Sequence, residues 1–137
     1  MNAKQWLAGI VGGGVVVYVV GYIVFETLLA GFYAANVGSA TGVPRDPQIL
    51  WAVAVAALAY AALIVFVLSL KAGSLTVATA IKAGATVGFL LWVCADFTWF
   101  GITNVNNLAV TIVDPLAELV RGGITGAVLG ALLPKLA

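Results

Sequence analysis

Long apolar runs alternate with short polar breaks along this chain, and each run has the length that a bilayer demands. A hydrocarbon core of about 30 Å takes roughly 20 apolar residues wound as a helix. Four stretches meet that requirement. The first runs from about Trp6 to Tyr33 and holds one acid, Glu26. The second, Gln48 to Leu70, holds no charge. The third, Thr76 to Phe100, holds Lys82 and Asp96; the fourth, Leu108 to Leu133, holds Asp114, Glu118 and Arg121. The pattern predicts an all-α, polytopic membrane protein: a bundle of four transmembrane helices, with residues 1–137 forming one domain. The first run is far longer than the roughly 7–15 apolar residues of a signal peptide, so it is expected to be a true span.

The breaks carry turn and capping signals. Residues from Asn36 to Pro47 are rich in turn formers, and Asp46 before Pro47 has the form of an N-cap with proline at the first helical position. Lys71 and Gly73 close the second helix, with Ser74 as the expected cap of the third; Asn106 or Asn107 is the expected cap of the fourth. Trp6, Trp51, Trp99 and Tyr33 fall near span ends, where aromatic belts form. Lys4, Lys71 and Lys135 fall on one side of the membrane and Arg45 on the other. By the positive-inside rule both termini are expected to be cytoplasmic, with the chain in the inner (plasma) membrane.

Composition narrows the function classes. Hydrophobic residues make up 64% of the chain and charged ones 8%, against about a quarter charged in soluble domains. Six basic and five acidic residues cannot coat a soluble enzyme, solvate a disordered tail or form the clustered basic face of a nucleic-acid binder. With no histidine and one cysteine, an intrachain disulfide is impossible and His-based triads have no basis. No nucleophile–base set is visible, so no enzyme and no cofactor are expected. Cys94, in an apolar helix without a base nearby, is expected to be a buried, inert thiol.

Chemistry therefore rests on the charges inside the spans, each costly enough to be a functional candidate. At about 1.5 Å per residue, Glu26, Asp96 and Asp114 all fall in the outer half of the bundle, level with Thr98, Thr103, Asn104, Asn106 and Asn107. Asp114 and Glu118 are spaced i,i+4 and Glu118 and Arg121 i,i+3, so the three share a helix face. Arg121 is placed to neutralise Glu118, and Lys82 lies at a depth where it could supply a second cation. Pro115 removes a backbone donor beside Asp114. Two readings compete. In one, the charges pair between helices and fix the register of the bundle. In the other, Glu26, Asp96, Asp114 and Glu118 form a proton or cation site, with Arg121 and Lys82 as counter-charges. Four acids against two intramembrane bases leave the cluster short of cations.

Glycine spacing supplies the packing signals. Gly122, Gly126 and Gly130 form two overlapping GxxxG steps, Gly84 and Gly88 a third, and Gly9 and Gly13 a fourth. They predict close helix contacts within the bundle, or a seam through the fourth helix to a second copy or a larger membrane complex. The expected function is accordingly a small proton- or cation-handling channel or transporter. The alternative is an accessory subunit that packs through its glycine faces.

The stretch from Ala95 to Gly123 resembles the C-terminal signature of a family of small bacterial four-helix membrane proteins of unknown function. That family shows an Asp-Leu-Thr-Asn motif at the end of its third span and a Val-Asp pair opening its fourth. Asp96, Thr98, Val113 and Asp114 stand at the matching positions. Trp99 replaces the motif's final Asn, and the residues after Asp114 depart from the family's Ile-Ala-Trp-Gly. The resemblance implies a linked Asp96–Asp114 pair and lends no activity.

Overall fold

The structure, a computed structural model, describes the backbone of residues 1–137 and every side chain except that of Ala72. It is 80% helical without strands, and four of its helices are long and apolar enough to cross a membrane. Helix α1 (Ala3–Gly21) continues through a wider π-helical turn (Tyr22–Leu28) to complete the first span. A short helix α2 (Ala30–Ala35) follows, and then the spans α3 (Leu50–Ser69), α4 (Val77–Ile102) and α5 (Leu108–Leu132). A 3₁₀ turn, Leu133–Leu136, extends the last span.

Helix ends follow side-chain capping where the sequence offers it. At α1, Asn2 and Gln5 form a reciprocal capping box. Asn107 caps α5, as its position suggested, by accepting from the Val110 amide at 3.0 Å. Three expectations are corrected. The first span ends at Leu28 rather than Tyr33, because Leu29 (φ −107°, ψ 3°) leaves helical geometry and Tyr33 belongs to α2. Asp46 and Pro47 do not start the second span: α3 begins at Leu50 with Ile49 at the cap, and the preceding residues form an irregular crossing. Thr76, not Ser74, caps the third span, sharing a capping box with Thr79 while Leu75 is extended.

The bundle is uneven. Helices α4 and α5 form by far its most extensive contact, followed by α1 with α3 and α1 with α5; α3 and α4 barely touch. Glycine explains the first contact. A Cβ on Gly84 would meet the Gly122 carbonyl, one on Gly122 the Gly84 carbonyl, and one on Gly126 the Ala80 carbonyl. The two backbones thus lie directly against each other, at a distance that only small residues permit. The α1 glycines do similar work: Gly9 faces Val65 and Leu133, and Gly13 faces Ala61 and Leu129. Both seams are therefore filled from within the chain, the first of the two packings that the glycine spacing allowed.

The apolar core lies toward the end that holds both termini, with Val17, Ile64, Val65, Leu68, Leu129 and Leu133 almost wholly buried. At the opposite end, the segment before α3 is stitched to the α4–α5 loop. The Gly38 amide donates to the Val105 carbonyl at 3.0 Å and the Ala40 amide to the Asn104 carbonyl at 3.1 Å. Gly38 is needed here, since a Cβ would strike the Asn104 carbonyl. Elsewhere the long apolar side chains, among them Leu7, Val15, Val55 and Phe66, point outward. Lipid is the only environment in which so much exposed apolar surface is favourable.

Overpacking the α4–α5 seam should be costly. Gly126→Leu is expected to lose at least about 1–3 kcal/mol of stability in detergent, measured by SDS titration of helicity. Gly31→Ala, with open space around it, is expected to be neutral or slightly stabilising.

Candidate functional site

The α4–α5 register decides which polar side chains meet. Gly84 opposite Gly122, and Gly88 opposite Glu118, continue along the antiparallel pair to set Asp96 beside the first turns of α5. The Asp96 and Asp114 carboxyls are consequently close enough to interact directly. Asp96 is buried, 5% exposed, and its Oδ2 has no hydrogen-bond partner. Asp114 accepts a hydrogen bond of 2.6 Å from the Tyr33 hydroxyl, so α2 closes the pair from above. Burial first, and then that hydrogen bond, push the Tyr33 hydroxyl above the ordinary phenol range, so it stays a donor at physiological pH.

One turn further along α5 stands the second polar element. Glu118 is 1% exposed, and the Arg121 Nε lies 3.0 Å from its Oε2. The two atoms are paired by charge but not aligned as a hydrogen bond, and Glu118 Oε1 has no partner either. The guanidinium sits in an aromatic box, with its carbon 5.3 Å from the Phe25 ring centre, 5.3 Å from Tyr60 and 5.4 Å from Trp92. Those rings come from the first span, α3 and α4, so one α5 side chain ties all four spans together. Cation–π attraction is strongest when the cation is stripped of water, as here, where the Arg121 side chain is 12% exposed. Space for it is set by backbone: a Cβ on Gly21 would collide with Arg121 Nη1, and one on Gly88 or Gly122 with the Tyr60 hydroxyl.

Of the residues singled out from sequence, Asp96 and Asp114 are brought together, and Glu118 and Arg121 form the expected pair. Pro115 is buried within an unbroken α5. Two do not join the acid pair. Glu26 is exposed and accepts from Gln48 Nε2 at 3.0 Å; it lines a cavity of about 900 Å³ between the first span and α3 that also reaches Phe25, Trp92 and Arg121 of the box. Lys82 is exposed in the cleft between α3 and α4, on the side of α4 away from the Gly84–Gly88 seam, and so is no counter-charge for the acids. Cys94 is exposed rather than buried, since it lies off the seam that buries Gly88 and Asp96. Thr98 and Thr103 bond to their own helix carbonyls, of Cys94 and Trp99, instead of joining the acids. Sequence reasoning missed Tyr33 as a donor and Phe25, Tyr60 and Trp92 as the box. Trp92 and Tyr60 were visible as polar-tipped aromatics in mid-span, away from the interfaces that such residues favour.

No protein family, curated protein or solved structure matches the chain.

The ion pair generates a double-mutant prediction. Arg121→Gln leaves Glu118 buried without its cation and is expected to cost about 3–5 kcal/mol. Glu118→Gln with Arg121→Gln should recover most of that loss. Unfolding titrations of wild type, both single variants and the double variant measure the coupling.

Proposed function

We propose that this chain is a small proton-handling transport protein of the plasma membrane, with Asp96 and Asp114 as its proton-exchanging pair. One observation carries the reading: a buried carboxyl, Asp96, with an oxygen that has no partner, lies against a second carboxyl within a span. Two carboxylates so placed cannot both be ionised cheaply, and a proton shared between them removes the conflict. Tyr33, at the end of the bundle opposite the termini, connects the pair to the surface. Glu118, one turn deeper, is the next acceptor, and Arg121 in its box holds the inner charge in place.

The polar side chains favour protons over hydrated ions. Beyond Arg121 the buried side chains are Thr125, Leu129 and Leu133, and the Thr125 hydroxyl is spent on the Arg121 carbonyl at 2.9 Å. A wide aqueous path is not needed for a proton, which moves between neighbouring groups. The reading involves no enzyme chemistry, since nothing near the acids serves as a nucleophile. The accessory-subunit alternative gains less support, because the glycine faces it would use are occupied inside the chain. Lysine placement orients the termini toward the cytoplasm and the acids toward the outer half.

Three results test this. In proteoliposomes, wild type is expected to move protons along an imposed gradient, and Asp114→Asn to abolish the movement. Thermal stability of the wild type should depend on pH from mildly acidic to mildly alkaline conditions, while Asp114→Asn, which keeps the shape and an acceptor for Tyr33, should flatten that dependence. Parallel curves for the two proteins would remove the reading. Reporter fusions at Thr41 and Asn104 should be external and a fusion at Gly73 internal; the reverse pattern would invert the direction of proton access.

A further inference from the structure

The weak contact between α3 and α4 leaves a cleft of about 690 Å³ that the proton-handling reading does not use. Its walls are apolar over most of their length: Leu63, Val67 and Leu68 on α3, and Val87, Leu90 and Leu91 on α4. At one end stand two lysines, Lys71 after α3 and Lys82 in the second turn of α4, with Thr79 between them in depth. No acid lines the cleft, and neither lysine has an ion-pair partner among the described residues. From Lys82 to Leu90 the trough runs about 12 Å along the helix. A narrow apolar trough opening to lipid, with two unpaired cations and a hydroxyl at its mouth, has the polarity of an acyl chain joined to an anionic headgroup.

We propose that the α3–α4 cleft is a binding site for one anionic phospholipid, with its phosphate held by Lys71, Lys82 and Thr79 and an acyl chain lying between the helices. Charge complementarity selects this occupant. A zwitterionic lipid would fill the trough equally well but brings its own cation to the two lysines. Thr79, Ala83 and Thr86 on the α4 wall are small, but the α3 wall is Leu63, Val67 and Leu68, and two unpaired lysines at the mouth call for an anion rather than an apolar helix. Lys82 lies about 7–8 Å inside the start of α4, within reach of the headgroup level by extension of its side chain. The lipid fills the cleft between α3 and α4 and so acts as a wall of the bundle on that side.

Native mass spectrometry of the full chain, released from mixed phosphatidylglycerol and phosphatidylcholine vesicles, tests the site. The wild type is expected to retain phosphatidylglycerol selectively, at one lipid per chain. Each lysine near the headgroup contributes about five-fold, so Lys71→Gln with Lys82→Gln should weaken that retention about 25-fold and leave phosphatidylcholine unchanged. Lys71→Arg with Lys82→Arg should retain it. Thr86→Trp, an exposed position in the trough, should expel the lipid although both lysines remain. Soluble glycerol phosphate should not compete, since it lacks the chain. Equal retention of both lipids, an unchanged Gln double variant, competition by glycerol phosphate, or a second copy of the chain shielding Thr86 would each overturn the proposal.

Discussion

Everything polar in this bundle depends on how closely α4 and α5 approach. Their backbones meet through Gly84, Gly88, Gly122 and Gly126, where a single added carbon would strike a carbonyl of the facing helix. In lipid no hydrophobic force drives helices together, so this contact is held by dispersion between closely fitted backbones. Its register has a chemical consequence. It places Asp96 beside Asp114 and makes room at Gly88 and Gly122 for the Tyr60 hydroxyl, which completes the box around Arg121. A side chain larger than hydrogen in that seam would separate the acids as well as the helices.

The charges then divide by environment. Arg121 is matched twice, by Glu118 and by three aromatic faces, and its contacts reach every span. Such a group has little freedom to move. The Asp96–Asp114 pair is the opposite case. It has one hydrogen-bond donor, Tyr33, for a buried and a half-buried carboxyl, and it leaves an oxygen of Asp96 without a partner. Fully satisfied networks stabilise; an incompletely satisfied one in a low dielectric is where a proton can be taken up or given away. The apolar layer of Val17, Ile64, Leu129 and Leu133 lies beyond both, toward the termini.

Much of this architecture was legible in the residues. Span length follows from hydropathy, so each predicted span falls within a few residues of its helix, apart from the first, which leaves helical geometry at Leu29. The Asp114–Glu118–Arg121 stripe follows from helical periodicity. The pairing of Asp96 with Asp114 follows from a short loop between antiparallel neighbours. What could not be read was azimuth. A helix such as α3, apolar on all sides, has no stripe to show which way Tyr60 points, and the box needs four such directions at once. Glu26 illustrates the same gap: its depth was legible, but the π-helical turn that holds it and its bond to Gln48 have no signature in spacing. The glycine steps marked close contacts without saying whether the partner was this chain or another.

The central claim is that the buried acid pair holds a proton which it can exchange. Infrared difference spectroscopy of the membrane-embedded protein, comparing neutral with mildly alkaline conditions, reads the carbonyl stretch of protonated carboxylic acids directly. The account predicts a protonated-acid band at neutral pH that is lost on alkalinisation and is absent from both Asp96→Asn and Asp114→Asn. A spectrum without such a band, or one that both substitutions leave unchanged, would contradict it.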